Sequence, residues 1–173
     1  MELKRVKLLQ LDVVSPSTGS LYPEKVMEEA IRVLKEKRGN FILGELKTAG
    51  VVDEEMNIDR VKVQAEQEHM PANQKTRFAR QFTIDQSMVS HQITNIWIED
   101  GYIYGDVKVF DTPCGELLKT LLPQSEEDCQ KTDDELGVMF GLRSVADMDQ
   151  AHVVHACQIV TFDAIYKPER ATH

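Results

Sequence analysis

The sequence predicts an α+β domain, mainly β: a mostly antiparallel β-barrel of about six to eight strands with peripheral helices. Three observations lead there. Short apolar runs bounded by turn residues recur along the chain, one pair of runs is joined by the strong hairpin signal Asp100-Gly101, and two segments carry the marks of helices. A length of 173 residues suits a single domain spanning 1–173, with a sizeable core.

"RVKLLQLDVV" (5–14) reads as the first strand, and "SPSTGS" as a turn by its Ser, Pro and Gly content. "PEKVMEEAIRVLKEKRG" reads as a helix. Pro23 suits its first turn, and Val26, Met27, Ala30, Ile31, Val33 and Leu34 form one face. Lys35, Lys37 and Arg38 complement the negative end of the dipole, and Gly39 supplies the stop.

Between 40 and 87 three short strands are expected, in "NFILGEL", "NIDRVKVQAEQ" and "KTRFARQFTID", with "EHMPANQ" as a turn. In "MVSHQITNIWI", alternation places Val89, His91, Ile93, Asn95 and Trp97 on one strand face. After the turn, Ile103, Gly105, Val107 and Val109 share a face of "YIYGDVKVF". "DTPCGELLKTLLP" follows as a short helix, capped by Thr112, opened by Pro113 and ended by Pro123. "LGVMFGLRSVA" and "CQIVTFDAIY" are core strands, short and rich in residues that favour sheets.

Composition narrows the function. Apolar residues make up 42% of the chain, and no run approaches the roughly 18 needed to span a bilayer, so no membrane partner is expected. The start of the chain lacks a secretory pattern because Asp12 interrupts its apolar part, which points to an intracellular protein. Cys114, Cys129 and Cys157 have no disulfide framework spacing, which fits a reduced compartment. A net charge of -9 argues against a nucleic-acid partner. Part of that charge lies in "QSEEDCQKTDDE" (124–135), read as an exposed acidic loop.

Three core strands each carry a polar residue that must be justified, since burying one unpaired costs on the order of 1–3 kcal/mol. They are His91, Ser144 and Asp163. A serine becomes a useful nucleophile when an imidazole takes its proton, and the imidazole needs a third group to orient it. Satisfied core polar residues are the competing explanation. His152, His155 and Cys157 of "HVVHAC" could offer metal ligands, but no fourth ligand lies at usual spacing and alternation divides the set, so no metal or other cofactor is expected. Cys114 at a helix N-terminus could be a thiolate, with nothing else to support it. His69 reads as a loop residue, and "GELKTAG" is not a phosphate loop.

Four segments resemble the prohead core (capsid maturation) serine proteases of tailed bacteriophages, which share the fold of the herpesvirus assembly protease. They are "GSLYPEKVMEEAI", "FILGEL", "VSHQITNIWIEDGYIYGDVKVFDTPCGELLKTLL", and the pair "FGLRSVA" and "IVTFDAIYKP". The resemblance implies a herpesvirus-protease-like barrel and a serine endopeptidase, with His91 as general base and Ser144 as nucleophile. Asp163 stands as the orienting residue, with Glu45, Glu66 and His155 as substitutes. Backbone N–H groups near Ser144, with Arg143 and Val145 beside them, would form the oxyanion and substrate site. The implied substrates are phage scaffold or core proteins, the major capsid protein and the chain itself by autocatalytic cleavage. The implied place is inside the prohead in the host cytoplasm, with homo-oligomerisation as a further expectation. Two features depart from the family. Its Gly-x-Ser-Ser-Arg-Gly is Gly141-Leu142-Arg143-Ser144-Val145 here, and its Gly-Glu-Leu is often followed by His-Pro where this chain has Lys47 and Thr48. A chain that had lost its site in this way would be an inactive homologue acting in capsid assembly or scaffold binding.

Overall fold

The structure is a computed structural model, and it describes residues 1–15, 18–39, 41–48, 57–59, 81–122 and 138–166. The acidic stretch 124–135, Cys129, Glu66, His69 and the turn "EHMPANQ" lie outside the described residues. Seven strands, β1 (Glu2–Gln10), β2 (Ile42–Thr48), β3 (Asn57–Asp59), β4 (Val89–Glu99), β5 (Tyr102–Val109), β6 (Val138–Met148) and β7 (Val154–Tyr166), form one sheet in the order β1-β5-β4-β2-β7-β6-β3. Among the described residues, the helices α1 (Glu24–Arg38) and α2 (Pro113–Leu121) accompany it. No helix among the described residues is long and apolar enough to cross a membrane.

The barrel expectation holds in part. β1 lies against β6 although four strands separate them in the sheet, so the sheet curls strongly. It remains an open curl among the described residues, since β1 and β6 share no ladder. Four of the six pairings are antiparallel; β2–β7 and β3–β6 are parallel. Leu21 helps close the curl, bridging Val14 on one side and Val153 on the other.

The helices follow their sequence signals. Met27, Ala30, Ile31 and Leu34 of α1 are buried in the core, and Gly39 sends its N–H back to the Lys35 carbonyl. The Thr112 hydroxyl accepts the Gly115 N–H at 3.0 Å and donates to the Val89 carbonyl at 2.7 Å, so one side chain caps α2 and ties it to β4. Asp100 and Gly101 both have positive φ, 48° and 78°, as a tight hairpin turn requires.

Bulges correct the simple alternation. Ile93 pairs with Val107 but Asn95 with Asp106, so Thr94 is an extra residue in β4. His91 and Ile93 therefore share the core face with Ile96, which is buried, while Asn95 is exposed and Trp97 only half-buried. The sequence had placed Asn95 and Trp97 on the His91 face. A second extra residue, Ser90, lies where Gly44 pairs with His91 but Glu45 with Val89. The expected strand at 75–85 also fails over its described part: Gln81 is helical, Phe82 lies in a turn, and residues 83–85 pass over Arg143 and Glu45 as a strap before a 3₁₀ turn at Gln86–Met88.

The core face of the sheet carries Ile42, Leu46, Ile93, Phe140, Leu142, Phe162 and Ala164, packed with α1. Alternation sends Glu45 and Lys47 of β2, Arg143 of β6 and Asp163 of β7 to the opposite face, under the strap.

Candidate functional site

His91 is fully buried on the core face. Its Nε2 lies 2.8 Å from the Phe162 carbonyl of β7, reaching there across Gly44 of β2. A Cβ at position 44 would stand 2.1 Å from that nitrogen, so the imidazole path exists because residue 44 is glycine. Its Nδ1 lies 2.8 Å from Ser90 Oγ. A carbonyl only accepts, which assigns the hydrogen to Nε2 and leaves Nδ1 to accept the Ser90 hydroxyl proton. The imidazole edge also meets the Phe140 ring, centroids 5.2 Å apart at 79°. Burial holds the His91 pKa below the ordinary histidine value, against smaller upward pulls from the Phe162 hydrogen bond and the Asp163 charge. The ring is neutral at neutral pH.

Asp163 is fully buried on the other face, and both of its oxygens meet Arg143: Nε to Oδ2 at 2.9 Å and Nη2 to Oδ1 at 2.9 Å. Oδ1 also accepts the Glu45 N–H at 3.1 Å, and Lys47 Nζ stands 3.6 Å from Oδ2. Arg143, 1% exposed, continues to Glu45 Oε2 at 2.8 Å and to the Thr83 carbonyl at 2.9 Å. The result is a formally charge-balanced quartet across three adjacent strands, in which Arg143, Asp163 and Glu45 each have more than one partner.

Ser144 is fully buried, and its carbonyl accepts from Gln81 Nε2 at 3.1 Å. Alternation along β6 places its side chain on the core face with Leu142 and Ala146. The Phe140 ring that touches His91 lies four positions away along that strand, about 13 Å at the usual rise. Val145 is buried beside it.

The structure thus brings Arg143, Asp163 and Glu45 together, and separately Ser90 and His91. The ring nitrogens of His91 bond to Ser90 and Phe162, not to Ser144 or Asp163. His155, a substitute for the third member, bonds Asp149 Oδ2 at 2.9 Å on an exposed turn. His152 lies in the same turn with a φ of 60°, and Cys157 is half-buried on β7. Among the described residues, no three His, Cys, Asp or Glu are grouped to hold a metal ion. Cys114 Sγ, near the start of α2, lies 3.7 Å from the Ser87 carbonyl. Ser90 was missed in the sequence, where alternation sends it away from His91. Only the bulge turns the two neighbours toward each other.

No family model matches the chain, and no curated protein matches it. Among solved structures, the chain is similar to the bacteriophage T4 capsid assembly protease, gp21, with a TM-score of 0.52 and 17% identity. The likeness covers 92% of this chain and 78% of that one. At that identity it establishes a shared fold: the curled sheet with two helices is the fold of a phage capsid assembly protease.

Proposed function

We propose that this chain is a phage capsid-assembly protein that uses the capsid-protease fold to bind assembly partners rather than to cut them. One observation carries the reading. Both ring nitrogens of His91 and both carboxylate oxygens of Asp163 are engaged with groups other than each other or Ser144, and all three side chains are fully buried. Acyl transfer asks for the opposite: an imidazole within reach of a hydroxyl that a scissile carbonyl can approach. The altered run at Arg143 to Val145 agrees with a site that has lost its chemistry. On this reading the partners are scaffold or core and major capsid proteins, met inside the prohead in the host cytoplasm. The relation to the herpesvirus assembly protease belongs to the same proposal.

A second reading has its own support. The fold likeness to a capsid assembly protease, and the order of His91 before Ser144, favour a serine endopeptidase. His91 would take the Ser144 proton, Asp163 would orient the imidazole, and N–H groups near Arg143 and Val145 would hold the oxyanion, with scaffold, capsid protein and the chain itself as substrates. That chemistry requires a His91 ring nitrogen to exchange Ser90 or Phe162 for Ser144.

One experiment separates the two. The full chain and its Ser144→Ala variant are exposed to a fluorophosphonate probe and mixed with the scaffold and capsid proteins of the phage that encodes it. The binding reading expects no label at Ser144, a stable complex and intact partners. Label and cleavage that both vanish in Ser144→Ala overturn it in favour of the endopeptidase.

A further inference from the structure

Among the described residues, the sheet leaves part of an inner strand open on one side. β2 pairs with β4 only as far as Ile42 opposite Ile93, and no described strand continues along that edge from Asn95 to Glu99. Glu99 and Tyr102 flank a two-residue turn, so they form a hydrogen-bonded pair, and bonding alternates from there. Trp97 and Asn95 therefore bond to β5, while the N–H and C=O groups of Ile96 and Ile98 point to the open edge. One bond agrees: the Ile96 N–H donates to Asn95 Oδ1 at 3.0 Å instead of to β5.

This edge differs from the outer strand of the sheet. β1 carries Lys4, Arg5 and Lys7, two register shifts and a positive φ of 54° at Arg5. Those features blunt an edge against pairing. Asn95-Ile96-Trp97-Ile98-Glu99 has no lysine, no proline and an unbroken register with β5. Its β-branched and aromatic side chains favour a further strand.

The edge is also complementary to itself. A two-fold axis at Trp97 sets Ile96 against Ile98 of a second copy, and the two outward pairs exchange their N–H and C=O groups. This register alone engages both isoleucines of each copy. Trp97 then meets Trp97 of the second copy in the closer, non-hydrogen-bonded position, on the face where its ring already stacks on Tyr104 at 6.0 Å. Asn95 faces Glu99 of the second copy, so no like charges meet, and Glu99 is already paired with Arg5 at 2.6 Å. Phe41, 73% exposed, precedes Ile42 at the closed end of the gap, where the Asp100-Gly101 turn of the second copy arrives.

We propose that the Asn95–Glu99 edge of β4 pairs antiparallel with the same edge of a second copy, joining two β4–β5 hairpins into one continuous sheet. The pairing is independent of the chemistry at Ser144 and goes beyond both functional readings above.

Sedimentation equilibrium of the full chain should show a concentration-dependent dimer. Ile98→Pro removes an outward N–H without taking a bond from β5, and should weaken the dimer at least about ten-fold. Under mild oxidation, Trp97→Cys should link to itself, forming a covalent dimer absent from the parent chain. Asn95→Cys should link only when mixed with Glu99→Cys. A chain that stays monomeric, or a dimer unchanged by Ile98→Pro, overturns the pairing. Should the proline disturb the circular dichroism, the cysteine links decide. Self-linkage of Asn95→Cys in place of Trp97→Cys overturns the register. A monomer whose complex with scaffold protein is lost in Ile98→Pro assigns the edge to a partner's strand and overturns the dimer.

Discussion

The two faces of the sheet around β2 and β7 bury polar groups by opposite means. On the core face, a neutral relay runs from the Ser90 hydroxyl through His91 to the Phe162 carbonyl, with one partner at each ring nitrogen. On the strap face, Arg143 meets both Asp163 and Glu45, Asp163 also takes the Glu45 N–H, and Lys47 stands beside Asp163. The contrast teaches what each kind of group demands of a fold. A neutral imidazole needs two well-placed partners and an open path, which Gly44 gives it. A buried guanidinium needs opposite charge on adjacent strands and backbone from a crossing segment.

The largest break in that comparison should come from Asp163→Ala. It leaves Arg143 buried without its main counter-ion, and a cost of about 3–5 kcal/mol is expected from urea unfolding at constant slope. Replacing Arg143 and Asp163 together by Met and Leu should cost well under the sum of the single changes, because the stranded charge disappears with its partner. A near-zero effect of Asp163→Ala would mean that the quartet adds nothing beyond packing.

A middle effect is expected from Gly44→Ala on the core face. Its Cβ would stand 2.1 Å from His91 Nε2 and 2.6 Å from the Phe162 carbonyl. The ring must leave its bond, for about 1–3 kcal/mol, visible as a lower unfolding midpoint and as loss of the Nε2–H tautomer in imidazole nitrogen NMR. An unchanged tautomer would show that the passage across Gly44 is not needed.

The smallest effect is a pH slope from His91. The folded pKa of His91 lies below its unfolded value near 6.5, so the unfolded chain binds the proton more readily between the two. The stability contribution is full above about pH 6.5 and is lost as pH falls through the folded value. His91→Gln should flatten the difference in stability between about pH 7.5 and pH 5. An identical slope in the variant would place the acid sensitivity elsewhere.

Much of the fold was legible because its signals are local. Asp100-Gly101 sets the β4–β5 turn with two positive φ values, and Thr112-Pro113 opens α2. The apolar face of α1 is the one it buries. The polar residues of the core strands were equally visible, but their partners were not. Asp163 opposes Gly141 across the hairpin, so its guanidinium partner is the diagonal neighbour Arg143, a fact fixed by register. The bulges at Ser90 and Thr94 leave no trace in an alternating pattern, yet they decide which side chains share a face with His91.

The position of β2 has a consequence for how the chain assembles. It pairs antiparallel with β4 and parallel with β7, and its Glu45 N–H meets Asp163 across a separation of 118 residues. The β4–β5 and β6–β7 hairpins close through short local loops, whereas the seam between them forms only when β2 arrives from far away in the chain. Loop-closure entropy makes that the slow step of folding. Arg143 and Asp163 can meet within their own hairpin beforehand, so β2 docks onto an ion pair already in place.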